Sequence, residues 1–257
     1  MFSIIKARMK QGYRTIKYPD GPPPELPKAF MGRPRLDSAK CSSDCTKKCI
    51  AACPVAAIET AASGKKGITL DLGKCIFCGA CKDACGSNVI SFGRNHMLAA
   101  AKKSDLIVED LDDKERSALC EKARDFFGKS LKLRQVSAGG CNACEADTNV
   151  LGTIGWDLGR FGIQFVASPR HADGLLITGP ITKNMELALR KTYDAVPDPK
   201  IVIAVGACAI SGGPYTGHSE TCCGADKVVP VDLYIPGCPP HPLTILDGLL
   251  RLLKIAK

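Results

Sequence analysis

Twelve of the fifteen cysteines fall into three sets of four. Cys75, Cys78, Cys81 and Cys85 form a local run with C-x2-C-x2-C-x3-C spacing. Cys41, Cys45, Cys49 and Cys53 form a second run in which every gap is three residues and Pro54 follows. The third set is dispersed: Cys141 and Cys144, then Cys208, then Cys238. Four thiolates in such runs hold iron–sulfur cubanes, and C-x2-C pairs also hold zinc. Compartment weighs on the choice, since many cysteines suggest disulfides in a secreted chain and metal or catalysis in a reducing cytosol. The N-terminus, MFSIIKARMKQGYR, has basic residues interrupting its apolar stretch and no cleavage site, so no export signal is expected. No window approaches the ~18 apolar residues that span a bilayer. The C-terminal LTILDGLLRLLKIAK comes closest, but Asp247, Arg251 and Lys254 interrupt it, which predicts an amphipathic helix. The expected location is cytoplasmic, peripheral to a membrane.

The Cys75–Cys85 run has the spacing of bacterial ferredoxins, in which three cysteines of a run hold one cubane and the fourth reaches across to the other. That crossover predicts one cluster on Cys41, Cys45, Cys49 and Cys85 and another on Cys53, Cys75, Cys78 and Cys81. The Cys41–Cys53 run departs from the pattern by one extra residue in each of its first two gaps. Cysteines every four residues would also share one helix face as small hydrophobes, so a helix is the competing expectation there, and the type of its cluster is open.

The elements that must position these groups follow from punctuation and periodicity. Residues 1–36 form a basic arm and strap: nine Lys or Arg lie within the first forty residues against three acids, six of the nine net positive charges. Such an arm suits an anionic membrane face or an acidic partner. Nucleic acid is not an expected partner, because no binding motif accompanies the charge and aromatics are only 5% of the chain. YPDGPPPELPKAFMGRPRL, residues 18–36, is too rich in Pro and Gly for a regular element. Residues 37–95 form an α+β, ferredoxin-like domain with two clusters. Residues 96–130 are rich in helix formers and predict a helical connector. From 131 to 257 short apolar runs (LKLRQV, IQFVAS, GLLITG, KIVIAVG, VVPVDLYI) alternate with helical ones (NVLGTIGWDLGRF, TKNMELALRKTYDAV, PLTILDGLLRLLKIA), which predicts an α/β domain with a parallel sheet. Functional groups of such sheets gather past the carboxyl ends of the strands. Cys141 and Cys144 follow the first run, Cys208 the fourth and Cys238 the fifth.

Three segments, AGGCNACEAD, FGIQFVASPRHADGLLITGPITKNMELALRKTYDAVPDPKIVIAVGACAISGGPY and KVVPVDLYIPGCPPHP, carry a family resemblance. Residues 130–257 resemble the small subunit of group 4, energy-converting nickel-iron hydrogenases of the formate hydrogenlyase type, and more distantly the cluster-bearing B-type subunit of complex I. Residues 1 to about 110, with the Phe30-Met31-Gly32-Arg33-Pro34 strap, resemble the ferredoxin-type subunit of the same complexes. The chain thus looks like two subunits fused, with a flavodoxin-like second domain. The resemblance implies an oxidoreductase subunit that relays electrons through three 4Fe-4S clusters, with Cys141, Cys144, Cys208 and Cys238 holding the proximal one. It places the catalytic nickel in a separate large subunit and none in this chain, so no catalytic residue is expected here. Further implied partners are another iron-sulfur subunit and membrane-arm subunits. Complex I subunits use adjacent cysteines where this chain has Cys141-Asn-Ala-Cys144, and the split pair sides with hydrogenase. Ala143 stands where the family usually has Gly.

Other residues carry competing readings. Glu145 fits a proton relay, a contact to the large subunit, or a helix-starting surface carboxylate. Arg170 and His171 fit either a cation near the third cluster or an interface ion pair. Cys222 and Cys223 lie in a loop that varies in the family and are expected not to ligate, Cys120 to be a buried thiol, Trp156 to be core, and His96, His218 and His241 to be structural or exposed. Two alternative functions stay open besides the zinc reading: a complex I-like quinone or ferredoxin oxidoreductase without nickel, and a free-standing ferredoxin-type carrier.

Overall fold

The computed structural model describes residues 2–41, 45–61, 67–110, 127–128 and 130–255. After a fully exposed helix, α1 (Phe2–Gln11), the chain runs without regular structure to β1 (Pro34–Leu36). This strand pairs antiparallel with β4 (Ile90–Phe92), Leu36 opposite Ile90. A second antiparallel sheet joins β2 (Ile58–Thr60), β3 (Ile68–Asp71) and β5 (Ile107–Val108), with Leu70 opposite both Ile58 and Val108. Ile68 and Leu70 are buried on one face of β3 while the residues between them are not, the two-residue period of a half-buried strand. Two short helices, α2 (Lys48–Ala51) and α3 (Ala80–Ala84), lie against each other. Among the described residues of the Cys41–Cys53 run only the four of α2 are helical, and of its cysteines only Cys49 lies in that helix.

The second half is a five-stranded sheet of β6 (Leu131–Ser137), β7 (Ile163–Phe165), β8 (Gly174–Thr178), β9 (Ile201–Val205) and β10 (Leu233–Ile235), in the order β10-β9-β8-β6-β7. Every pairing is parallel. The chain steps from β6 to β7 on one side and then crosses back to β8 on the other, the flavodoxin-like order with its switch point beside the first strand. All residues of β8 and β9 are buried, as expected of central strands covered on both faces. The covering helices are α4 (Ala143–Val150), α5 (Lys183–Ala195), α6 (Ala207–Ser211) and α7 (Pro242–Leu252).

Several sequence expectations change here. Residues 96–110 are not α-helical: Lys103–Leu106 is a 3-10 turn, and β-branched Ile107 and Val108 complete the second sheet over its apolar edge, so packing overrides the helix formers around them. Cys120 lies outside the described residues. Glycines at 152, 155 and 159 break the predicted helix around Trp156, and that residue is half-buried at the margin of the core. The amphipathic C-terminal helix is nonetheless covered on every side: all of α7 except Arg251 is buried, Asp247 included.

Asp247 tolerates burial because it accepts hydrogen bonds from the Tyr18 hydroxyl at 2.6 Å and from Arg251 Nε at 2.8 Å. Burial, then the Asp247 charge, pushes the Tyr18 phenol up, so it stays a donor. Tyr18 belongs to the Pro-rich strap, which Arg160 holds through the Tyr18 carbonyl at 2.8 Å. Further along, the strap joins the first half through Gly32 N–H to the Gly93 carbonyl at 2.9 Å. The two halves also share an apolar interior running from Leu36 and Leu70 to Ile210 and Tyr234, and Ala100 exchanges two 2.9 Å backbone bonds with Tyr234 on the outer edge of β10. Replacing Asp247 by Ala would leave Arg251 and Tyr18 without their acceptor, at a cost of about 3 kcal/mol. Tyr18→Phe is expected to cost about 1.5 kcal/mol. Urea unfolding, with limited proteolysis of residues 18–32, checks both.

Candidate thiolate sites on the sheet edge

The carboxyl ends of β6, β9 and β10 point to one edge, and the dispersed cysteines sit on the loops that leave it. Cys144 opens α4 behind Asn142, whose φ of 69° makes the tight turn out of β6. Cys208 lies in α6 directly after β9, and Cys238 follows β10. Gly206, at φ 92°, must be glycine: a Cβ there would stand 2.6 Å from Cys144 Sγ. The loops are therefore close enough that the missing side chain at 206 makes room for a thiol from another loop.

The thiols perturb one another. Burial pushes Cys144 up to about 12, with Glu145, Cys208, Cys238 and Cys141 adding to it. Burial likewise takes Cys208 up to about 11, helped by Cys238, Cys141 and Glu145. Cys238 is raised by burial and then by Cys141. Cys141 and Cys238 are exposed while Cys144 and Cys208 are half-buried, so the set opens to the surface on one side.

The local runs sort into the crossed groups. Cys75 is pushed up to about 12 by burial and feels Cys81, Cys53 and Cys78; Cys81, up to about 11 by burial, feels Cys53 and Cys78. Cys53 Sγ accepts the Ala57 N–H at 3.2 Å and Cys75 Sγ the Phe77 N–H at 3.3 Å, donors suited to a thiolate. These four thiols line one pocket whose other walls include Val55, Ile58, Leu70 and Phe92. In the other group, Cys41 is raised by burial, Cys45 and Cys85, and Cys49 by burial, Cys85 and Cys45. Among the described residues no three His, Cys, Asp or Glu side chains stand close enough to hold a single metal ion. The second set lines one pocket together, and a cubane, which offers four separate iron corners to four thiolates, suits four thiols so gathered.

Glu145 is buried in the first turn of α4 and accepts the Ser137 hydroxyl at 2.5 Å and the Thr178 hydroxyl at 2.7 Å. It is neither a surface residue nor a free one. Sequence reasoning missed Ser137 and Thr178, whose positions at the carboxyl ends of β6 and β8 were the available signal. It also missed Asp147, which with His241, Cys238, Phe30, Met31 and Phe77 borders a cleft between the second and third thiol groups. His241 stands edge-on to Phe30 at 5.5 Å and to Trp156 at 6.1 Å, and its Nδ1 accepts the Leu243 N–H at 3.1 Å, capping α7. Burial raises Asp147 and lowers His241. His96 is buried against Tyr18, whereas Arg170, His171 and His218 are exposed. Cys222 and Cys223 are absent from the groups that perturb Cys144, Cys208 and Cys238.

A parallel sheet with thiols from three strand-end loops, preceded by a C-x2-C-x2-C-x3-C run, defines an iron–sulfur protein of the redox class. Residues 141–252 match the family described as NADH ubiquinone oxidoreductase, 20 Kd subunit, and residues 68–91 match the 4Fe-4S binding domain. The chain is 42% identical over 146 residues to a probable membrane-bound hydrogenase subunit, mbhJ, of Pyrococcus furiosus, covering 56% of this chain and 85% of that one. It is 46% identical over 116 residues to the B-type subunit of NADH-quinone oxidoreductase from Desulfovibrio desulfuricans, covering 45% of this chain and 63% of the relative. Among solved structures, a chain of an archaeal membrane-bound sulfane sulfur reductase shares 38% identity at a TM-score of 0.45, over 52% of this chain and 72% of that chain. The chain belongs to the family of hydrogenase and complex I 20 kDa-type iron–sulfur subunits, extended by a 4Fe-4S segment.

Thiols held protonated by folding make the metal-free chain sensitive to alkali. An unfolded thiol ionises near ~8.5, whereas Cys75, Cys81, Cys144 and Cys208 do so at about 11 to 12 in the fold. Between those values the folded chain binds more protons than the unfolded one, so its stability falls as pH rises. Urea unfolding of the metal-free chain at pH 7, 9 and 10.5 is expected to show a declining midpoint, and iodoacetamide to reach exposed Cys78 and Cys141 before Cys75 and Cys144.

Proposed function

We propose that this chain relays electrons within a nickel-iron hydrogenase complex, through three 4Fe-4S clusters, to or from a metal centre held by a separate large subunit. When bound, the clusters accept and release single electrons without atom transfer, so the chain itself needs no catalytic residue. In this reading Cys41, Cys45, Cys49 and Cys85 hold the first cluster, Cys53, Cys75, Cys78 and Cys81 the second, and Cys141, Cys144, Cys208 and Cys238 the third. The ferredoxin-like domain, residues 37–95, faces an iron-sulfur donor subunit. Residues 131–257 face the large subunit, with the arm and strap of residues 1–36 and the connector of residues 96–130 serving to join and orient them.

The observation that carries the reading is the third set. One of its thiols, Cys238, borders the same cleft as Ile76 and Phe77 of the second cysteine group, and Cys141 is exposed where a partner can approach. Electrons can therefore come from one side and leave on the other. The split Cys141-Asn-Ala-Cys144 pair favours the hydrogenase branch, and similarity to mbhJ over 85% of that protein supports it. Buried Glu145 and the backbone donors at Cys53 and Cys75 tune the thiolates they face. Among the described residues no helix is long and apolar enough to cross a membrane. Attachment through membrane-arm subunits, on the cytoplasmic side, is part of the proposal.

The second reading, a complex I-like oxidoreductase without nickel, draws on the 46% identity to the B-type subunit of an NADH-quinone oxidoreductase. Nickel analysis of the purified assembly separates the two. Full loading corresponds to roughly twelve iron atoms per chain. Cys238→Ser is expected to remove about four of them and to abolish hydrogen turnover while nickel stays bound in the partner; retained turnover overturns the hydrogenase relay. Gly206→Ala, which drives a methyl into Cys144 Sγ, is expected to lower iron at the third set while the signals of the other two persist, as read by electron paramagnetic resonance.

A further inference from the structure

Large apolar side chains left in water are not spread evenly over this molecule. Of the nine that stand exposed among the described residues, six lie on α1 or where the chain after it is anchored: Phe2, Ile4, Ile5, Met9, Tyr13 and Ile154. No residue of α1 is buried, and Phe2 is 88% and Met9 78% exposed. Phe2, Ile5 and Met9 recur at helical spacing and form one stripe, with Lys6 and Lys10 along one flank and Arg8 along the other. From residue 2 to residue 19 the chain carries five basic residues, these three with Arg14 and Lys17, and no acidic one.

Beyond α1 the chain is fixed to the second half. The Thr15 hydroxyl donates to the Ile154 carbonyl at 3.0 Å and Ile16 N–H to the Gly155 carbonyl at 2.9 Å. Tyr13 and Ile154 flank that anchor, so the apolar surface continues from the helix onto the body. Between them Gly12, at φ 63°, ends the helix with its N–H on the Arg8 carbonyl at 3.2 Å, and a Cβ there would meet nothing within 4 Å. A helix of ten residues is marginal in water by itself, and a surface that takes up its apolar stripe stabilises it. A second copy is a poor cover, because two such helices would bring together basic residues with no acid between them. An acidic groove would enclose one helix face, whereas the apolar side chains here run past the helix to Ile154. A lipid surface meets both at once, and its headgroup phosphates suit the cations on either flank of the stripe.

We propose that α1 lies in the headgroup layer of an anionic bilayer, with Phe2, Ile5 and Met9 turned toward the acyl chains, Lys6, Arg8 and Lys10 on the phosphates, and Ile154 at the margin of the contact. This adds a contact made by the chain's own residues to the attachment through membrane-arm subunits proposed above. It does not depend on the cluster assignments or on nickel in the partner. Each basic residue near such a surface contributes about five-fold in affinity, an attraction that salt screens. Each large apolar side chain withdrawn from water contributes about ten-fold.

The full chain, purified anaerobically with its iron, is mixed with vesicles of phosphatidylcholine and phosphatidylglycerol, and with vesicles of phosphatidylcholine alone, and the bound fraction is read by flotation. Binding is expected to the first, to be at least about ten-fold weaker to the second, and to weaken as salt rises. Lys6→Gln with Lys10→Gln is expected to weaken it about 25-fold. Ile5→Ser with Met9→Ser, which leaves the charge unchanged, is expected to weaken it by at least about ten-fold. All four side chains are exposed, so the iron content and urea midpoint of both variants are expected to equal those of the unaltered chain. A Phe2→Trp reporter is expected to shift its emission to shorter wavelength on the anionic vesicles. Binding that the serine pair leaves unchanged marks attraction of charge alone and overturns the proposal. Failure to bind either vesicle also overturns it and leaves the face to an acidic protein, and a dimer in sedimentation that the serine pair dissolves assigns the face to a second copy instead. Hydrogen turnover enters none of these readouts, so failure here and failure of the electron relay are told apart.

Discussion

Parallel pairing of β6, β8, β9 and β10 is the constraint on which everything else depends. Because all four strands run the same way, their carboxyl ends share one edge, and three loops separated by up to about a hundred residues of chain leave it together. Registers such as Val136 opposite Ile177 and Ile235 opposite Val205 fix how far each strand extends before its loop begins. A shift of one residue in β10 would reverse the faces of its buried Leu233 and Ile235 and displace Cys238 with them. The thiol geometry is thus set by the apolar packing of central strands that contain no chemistry.

The two halves are joined by a polar contact in an apolar setting. A buried carboxylate is costly without partners, and Asp247 has two, one from its own helix and one from a strap more than two hundred residues earlier in the chain. Apolar packing would hold α7 to the sheet with either partner lost, whereas the Tyr18 hydroxyl would lose the acceptor that fixes it. Asp247 therefore specifies the course of the strap more than it stabilises α7. The strap in turn carries Phe30 and Met31 into the cleft between the second and third thiol groups.

Local features are legible in the sequence and pairings across the chain are not. The cysteine spacings, the five strand runs and their order against the helical segments all rest on neighbours within about ten residues, and the parallel sheet with its cysteine-bearing loops follows from them. The strand order requires the crossover from β7 to β8, which no local pattern encodes. Asp247 reads as the polar mark of an exposed helix face because its counterpart, Tyr18, is unremarkable as a sequence letter. Ile107 and Val108 are hidden among helix formers, and only the vacant edge of β3 makes them a strand. Trp156 reads as core on its size, yet neighbouring glycines leave it at the margin, against His241.

The unequal burial of the third set bears on how it can hold negative charge. Cys144 and Cys208, deep enough for burial to push their thiols up to about 12 and 11, lie under Glu145 and the loop glycines, while Cys141 and Cys238 are exposed. Desolvation penalises negative charge most on the inner side, where Glu145 adds a second anion. Ligation of metal by such thiols would require them to lose their protons, so metal uptake by the set would be coupled to proton release.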